Sequence, residues 1–403
     1  MTSGLRIAVT GLAATYPLGG VFWDYLQYPL GLHRLGHDVL YIEDTGRWCY
    51  EPRSETFVEH GARNARWLAD NIAALEPALA DRWFFRDATG VTFGRSWRDV
   101  ARFCREADLF LHVSASCWMR DEYFAAGRVV FLDSDPVYTQ ASVPAYLDDS
   151  VAPEERSRIE MLRRHDGFFT FGENIGAADC SVPSELFDWV PTRQPLVLDR
   201  FSAPAMPPSA RRRVCTTVAS WEPTEDGPTV NGVTYAGKSA EFESFIDLPA
   251  RSPLPLEVAI SGRPPRQRLS SRGWRLRQGF EVSYDPWVYL EYLASSAAEF
   301  SVAKNAYVAA RTGWFSTRTA CYLALGVPAV VQDTGFGRRI PTGEGLLTFA
   351  TLDEAADGIQ RVTREPERHA RAAREVALEH FDSNRVLEEL IDRALAPTGG
   401  VAP

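Results

Sequence analysis

Lysine is nearly missing from this 403-residue chain: of its 43 basic residues, only Lys238 and Lys304 are not arginine. The two compact ammonium groups stand near expected strand ends in the second half, where a point charge suits phosphate, although two cases are also compatible with accident. Cysteine pairing is missing too. The six cysteines, Cys49, Cys104, Cys117, Cys180, Cys215 and Cys321, show no C-x-x-C spacing. That excludes a zinc framework or small disulfide scaffold and leads to an expectation of reduced thiols in a cytoplasmic protein. No run approaches the about 18 apolar residues of a membrane helix, so no membrane span is expected. Positive charge is not in excess either: the net charge is −10 and the pI about 5.3, which argues against a nucleic-acid partner. There is no G-x-G-x-x-G, so no tightly held dinucleotide and no permanent cofactor are expected. A fixed-period repeat is absent, and the oligomeric state stays open.

What is present is strand and helix in alternation, which predicts an α/β chain of two Rossmann-like domains. Leu5 to Val9 reads as a strand, Gly11 through Gly20 as a loop of small residues, Val21 to Leu35 as a helix and Val39 to Ile42 as the next strand. With no basic leading segment, MTSGLRIAVTGLAATYPLGG reads as that first strand and loop rather than as an export signal. Ser54 to Leu79 is expected as one long amphipathic helix, and Trp97 to Glu106 as another. Buried strands are expected at 108–113, 128–132 and 168–171. The Pro- and Arg-rich PTRQPLVLDRFSAPAMPPSARRRV reads as a linker. The domains are therefore placed at 1–203 and 213–397, with 204–212 joining them and 398–403 as a tail. In the second half, strands are expected around 214–219, 256–260 and 280–283, and helices at 287–296, 353–363 and 366–380.

The most informative stretch is FSVAKNAYVAARTGWFSTRTACYLALGVPAVVQDTGF, residues 300–336. Tyr307 to Ala310 reads as a short strand broken by Gly313. Ser316 and Thr317 read as hydroxyl caps on a helix from about Arg318 to Leu325, stopped by Gly326. A strand over Ala329 to Val331 then leads into the loop Asp333, Thr334 and Gly335. Ser316, Thr317, Thr319 and Arg318 at the positive end of a helix make a candidate seat for a diphosphate. An ordinary capped helix with Arg318 in solvent is the competing reading.

These residues resemble the donor-binding half of GT-B glycosyltransferases. GEGLLTFATLDEAADGIQRV and HFDSNRVLEELIDRAL are similar to the same family's last strand and helices, and GLHRLGHDVLYIED to its first unit. The resemblance covers roughly Leu254 to Leu395 well and the first half in outline. It implies two domains facing across a cleft, a nucleotide-sugar donor such as a UDP- or dTDP-sugar, no required metal, and a C-terminal helix crossing back to the first domain, while the aromatic-rich first half favours a small-molecule acceptor over a polymer. Cys321 stands where many members carry a ribose-binding Glu, so the identity of the base stays open.

For sugar transfer, the donor-binding candidates are Lys238, Arg263, Lys304, Ser316, Thr317, Arg318, Thr319, Asp333, Thr334 and Gly335, with Gly19 and Gly20 in the acceptor or cleft loop. Asp24, at the expected start of the helix after the first loop, is the first candidate base, followed by Asp135 and Glu173. Its competing role is that of a first-turn carboxylate on the helix dipole. Asp133-Ser134-Asp135-Pro136 imitates a metal-binding D-x-D, but Pro136 favours a turn, and no metal is assigned. Gly232 to Ser239 matches G-x-x-x-x-G-K-S and keeps a nucleotide hydrolase or kinase as one alternative. Its interior Val-Thr-Tyr favours a hairpin that leads into a helix with Lys238 at its start. RPPRQRLSSRGWRLRQ reads as a solvated basic face. A non-catalytic sugar- or anion-binding protein is the other alternative, kept open by Cys321.

Overall fold

The computed structural model describes residues 4–221, 226–230 and 232–396. Among the described residues, the main strands form two sheets. The first runs Trp189–Pro191, Gly167–Thr170, Val129–Asp133, Leu109–Val113, Arg6–Thr10, Asp38–Asp44, Trp83–Arg86 and Thr92–Gly94. Every pair in it is parallel except the last, an antiparallel edge. The second is wholly parallel and runs Arg275–Gln278, Leu256–Gly262, Arg212–Trp221, Ser296–Ser301, Ala329–Gln332 and Leu346–Phe349. Numbered within its own half, that order is 3-2-1-4-5-6, the doubly wound arrangement. Each sheet reverses its strand order beside its own first strand, and the loops leaving Arg6–Thr10 and Arg212–Trp221 lie at those switch points.

The halves share packing. Trp23, fully buried, donates from its indole nitrogen to Pro286 O at 2.7 Å and meets Trp287 edge-on at 5.4 Å. A Cβ on Gly19 would come within 2.6 Å of Tyr289 Cβ, so only glycine lets the first loop approach helix Pro286–Ala294. The last helix, Ser383–Leu395, lies against Gln27–Arg34 of the first half, where Leu387 Cδ1 would be 2.5 Å from a Cβ on Gly31. No helix among the described residues is long and apolar enough to cross a membrane.

Four sequence expectations are corrected. Residues 307–310 are not a strand but fall in and after the one-turn helix Asn305–Ala309; the strand of this region is Ser296–Ser301. A four-residue apolar run carries no period, and the alanines at 306, 309 and 310 favour helix. Residues 280–283 lie in the short helix Gly279–Ser283, because Arg275–Gln278 has already taken the edge position beside Leu256–Gly262. The basic segment around it is thus partly a sheet edge rather than only a solvated face. The helix expected from Ser54 begins at Ala62. Before it, Cys49–Glu51 and Thr56–Val58 form a hairpin turned by Glu55, whose φ is +52°. Finally, the helix expected over 21–35 is two, Gly19–Tyr25 and Gln27–Arg34. Pro29 has no N–H to continue the ladder and is tolerated in the first turn of the second.

Candidate active site

A cleft of about 830 Å³ opens between the two switch points. On the first-half side it is lined by Tyr16, Leu18, Gly20, Val21 and Asp24, with Tyr50, Glu55 and Phe57 of the hairpin. Facing them are the strand ends Val218–Ser220 and Ser261–Arg263, together with Tyr289 and Ser316–Arg318.

The loop on the first-half side is held by a buried carboxylate. Glu43 accepts from the Ala14 amide at 2.7 Å, the Thr15 amide at 3.0 Å and the Tyr41 hydroxyl at 2.7 Å. Burial pushes its pKa up, and those donors pull it back. The result is a loop fixed from beneath, which delivers Tyr16, Leu18 and the helix that carries Asp24. Tyr16, Tyr50 and Phe57 form an aromatic cluster with centroids 5.4 to 6.2 Å apart, and Phe57 is half exposed. Tyr50 and Phe57 are cross-strand partners in the hairpin.

Asp24 lies in the last turn of Gly19–Tyr25, not in its first, so stabilisation by the helix amino end does not apply. Its Oδ1 accepts a 2.9 Å bond from Thr317 Oγ1 of the second half. Burial raises its pKa to about 6, and the Thr317 bond works against that rise. A carboxylate poised near neutral pH beside a cleft is suited to taking a proton.

Ser316 is the N-cap of Thr317–Ala324, yet its side chain makes no capping bond, contrary to the expected hydroxyl cap. Ser316 lines the cleft beside first-turn amides that lack helical acceptors. Arg318 does not reach freely for an anion. Its Nε donates to Glu299 Oε1 at 2.7 Å, one Nη to Val218 O at 2.7 Å and the other to Ser301 Oγ. Glu299 is fully buried, so the guanidinium first answers that carboxylate. Thr319 is buried inside the helix and absent from the cleft wall.

The two lysines differ. Lys304 is held by both oxygens of Asp135 at 3.0 Å, and this ion pair bridges the halves. That pairing takes Asp135 out of the role of a free base. Lys238, first residue of helix Lys238–Glu243, has no hydrogen bond or ion pair among the described residues. Desolvation, then the charges of Arg318 and Lys304, lower its pKa to about 7, while Glu299 opposes them.

Other expected site residues lie elsewhere. Glu173 is buried against Arg193 at 2.6 Å and lines a different cavity. Asp333 caps its own turn, accepting from the Gly335 amide, and is absent from the cleft wall. Thr334 donates to Trp314 O, and the Gly335 carbonyl accepts from Asn174 Nδ2. This loop therefore secures the seam between halves instead of facing a sugar. Asp133 is buried and bonded to Thr139, Gln140 and Thr170, the role of a turn anchor. Among the described residues no cluster has the make-up of a metal site. Gly232 is a turn residue just before Val233–Ala236, the second strand of an antiparallel hairpin with Asp226–Val230, so the hydrolase motif lacks the parallel strand it requires.

Sequence reasoning missed Tyr16, Tyr50, Phe57, Tyr289 and the strand ends Val218–Ser220. Position just after a first strand was the available signal for Tyr16, and alternation in the hairpin for the other two first-half rings. Nothing local marked Glu299 as the partner of Arg318.

Residues 247–392 match a family model described as Glycosyl transferase-like. No curated protein sequence matches the chain. Among solved structures, an alpha-glucosyltransferase in complex with UDP-glucose and DNA containing an abasic site superposes with a TM-score of 0.56 at 12% identity, over 97% of this chain and 100% of that one. A glycosyltransferase from Rickettsia africae ESF-5 gives 0.53 at 10% identity, over 99% and 100%. AviGT4, a glycosyltransferase involved in avilamycin A biosynthesis, gives 0.52 at 13%, over 97% of each. The fold is thus that of GT-B glycosyltransferases. The expectation of no nucleic acid is withdrawn, because alpha-glucosyltransferases on this same fold are found in complex with DNA. Net charge sums the whole surface and does not decide what one cleft admits.

Proposed function

We propose, taking the chain as the GT-B glycosyltransferase that its matched region and fold make it, that it moves a sugar from a nucleotide-diphosphate sugar to a hydroxyl in the cleft. Residues 213–397 would hold the donor, residues 1–203 the acceptor, and 204–212 would join them. The observation that carries this reading is Asp24. It is a cleft-lining carboxylate with pKa near 6, held at 2.9 Å by a hydroxyl at the amino end of the very helix that would receive the diphosphate.

The leaving diphosphate would meet the free amides at the start of Thr317–Ala324, the Ser316 hydroxyl and Lys238. Lys238 has no hydrogen bond or ion pair among the described residues, and charge developing on phosphate would restore its proton. Arg318 supports that corner through Glu299 rather than by direct contact. In the transfer step the acceptor oxygen attacks the anomeric carbon as its proton passes to Asp24, and the bond from carbon to the diphosphate oxygen breaks. Tyr16, Tyr50 and Phe57 give the acceptor an aromatic wall, suited to a small molecule with a flat apolar or sugar-ring face.

The test is transfer assayed with UDP- and dTDP-sugars against a panel of glycosidic and phenolic acceptors, with a DNA oligonucleotide as a separate arm. Transfer to the panel supports the reading; transfer to DNA alone would overturn the acceptor assignment. An inverted anomeric product fits a side-chain base. A retained one would hand the proton to the leaving phosphate and remove Asp24 from the step.

A further inference from the structure

A second cavity, of about 530 Å³, shares no residue with the cleft. Its wall draws on both halves: Glu173 and Arg193 follow strands of the first sheet, Arg339 comes from the second half, and His380 and Arg385 flank the start of the last helix. Four arginines and two glutamates line it. Two of the arginines are spoken for. Arg193 binds Glu173 at 2.6 Å, and Arg393 binds Glu389 at 2.8 Å. Arg339 and Arg385 have no hydrogen bond or ion pair through their side chains among the described residues, although Arg339 lies near enough to pull the Glu173 pKa down.

His380 points the same way. Arg193 has only protons to give, so its 3.0 Å bond to His380 Nδ1 makes that nitrogen the acceptor and leaves the ring proton on Nε2. That buried Nε2 has no hydrogen-bond partner, and the nearest carboxylate oxygen, on Glu379, is 3.9 Å away. Burial and then the Arg193 charge lower the pKa of His380, so the ring adds a donor and not a charge. A concave wall with two guanidiniums that have no ion-pair partner among the described residues, and an orphaned N–H donor buried just behind it, concentrates positive potential, and the guanidinium fork matches oxyanions.

We infer that this cavity is an anion site for a small, multiply charged phosphate-type oxyanion, separate from the donor seat. A ligand there would bridge the first-half strand ends and the last helix and so favour the assembled native state.

Thermal unfolding of the full chain with sodium pyrophosphate, against sodium chloride at equal ionic strength, tests this. The wild type should gain about 3 °C or more at saturation. K238M, which alters the proposed donor seat, should keep at least part of that gain, and R339A/R385A should lose it. Without ligand, R339A/R385A should still unfold in one cooperative transition within about 3 °C of the wild type, since neither side chain makes a hydrogen bond or ion pair among the described residues, and this separates lost binding from lost folding. The inference is overturned if the wild type gains nothing, if R339A/R385A gains as much, or if K238M alone abolishes the gain and so assigns pyrophosphate to the proposed donor seat. An equal gain with citrate would overturn the phosphate class.

Discussion

Thr317 Oγ1 donates to Asp24 Oδ1 at 2.9 Å, joining residues 293 positions apart and belonging to different halves of the molecule. The bond places a carboxylate with a raised pKa at the helix end proposed to receive the donor.

Asp24→Asn should lower kcat by at least about 100-fold while donor affinity changes little, because it removes a proton acceptor and keeps the shape. Initial rates together with calorimetric binding of the nucleoside diphosphate would check this. A variant with wild-type kcat would end the assignment.

The pH profile should show kcat/KM falling as pH drops through about 6, where Asp24 takes up its proton. The Thr317 bond favours the charged carboxylate, so Thr317→Val should move this limb to higher pH. Stability gives an independent check. Because folding raises the Asp24 pKa from 3.8, the native state loses stability as pH rises through about 6. Asp24→Asn should therefore melt above the wild type at pH 8, and the gap should close as pH falls toward 4.

Lys238 should take up a proton when a diphosphate binds, since its pKa of about 7 leaves it mostly neutral at pH 8. Calorimetry at pH 8 in buffers of different ionisation enthalpy would show this uptake. Lys238→Met should bind more weakly and show none; equal uptake in the variant would place the titrating group elsewhere.

Arg318→Ala should destabilise the fold by about 3 to 5 kcal/mol, because it strands the fully buried Glu299 without its partner. Glu299→Gln should be costly too. A double-mutant cycle by chemical denaturation should show the combined change costing less than the sum of the singles. An additive cycle would mean that the pair does not interact as the geometry states.

Phe57→Ala should raise the acceptor KM several-fold with kcat nearly unchanged, as expected for a half-exposed ring that binds without taking part in the chemistry. A fall in kcat at constant KM would contradict a wall that only holds the acceptor.

How much of this was legible beforehand varies with the range of the interactions. The strand from Ala329, its preceding helix and Gly326 between them were readable because apolar runs, helix stops and turn glycines act within a few residues. Asp24 could be singled out as a carboxylate near a glycine loop, though its place in the helix was misjudged. Tyr307 to Ala310 and Phe280 to Ser283 were misread because four residues cannot distinguish one turn of helix from a strand. For Phe280 to Ser283 the outcome followed from the edge position that Arg275–Gln278 had already filled, and for Tyr307 to Ala310 from the interior position that Ser296–Ser301 had taken.

The sequence alone determined the doubly wound halves, the helix that begins at Thr317 and the rarity of lysine, because hydrophobic period, the glycine stop after a helix and residue choice are local properties of the chain. Tertiary structure alone decided that Arg318 answers Glu299, that Lys304 is held by Asp135 and Lys238 is left unpaired, and that Asp24 meets Thr317. Those outcomes rest on distances between residues far apart in the chain, and on burial, which sets what each charge costs and which partner it must take.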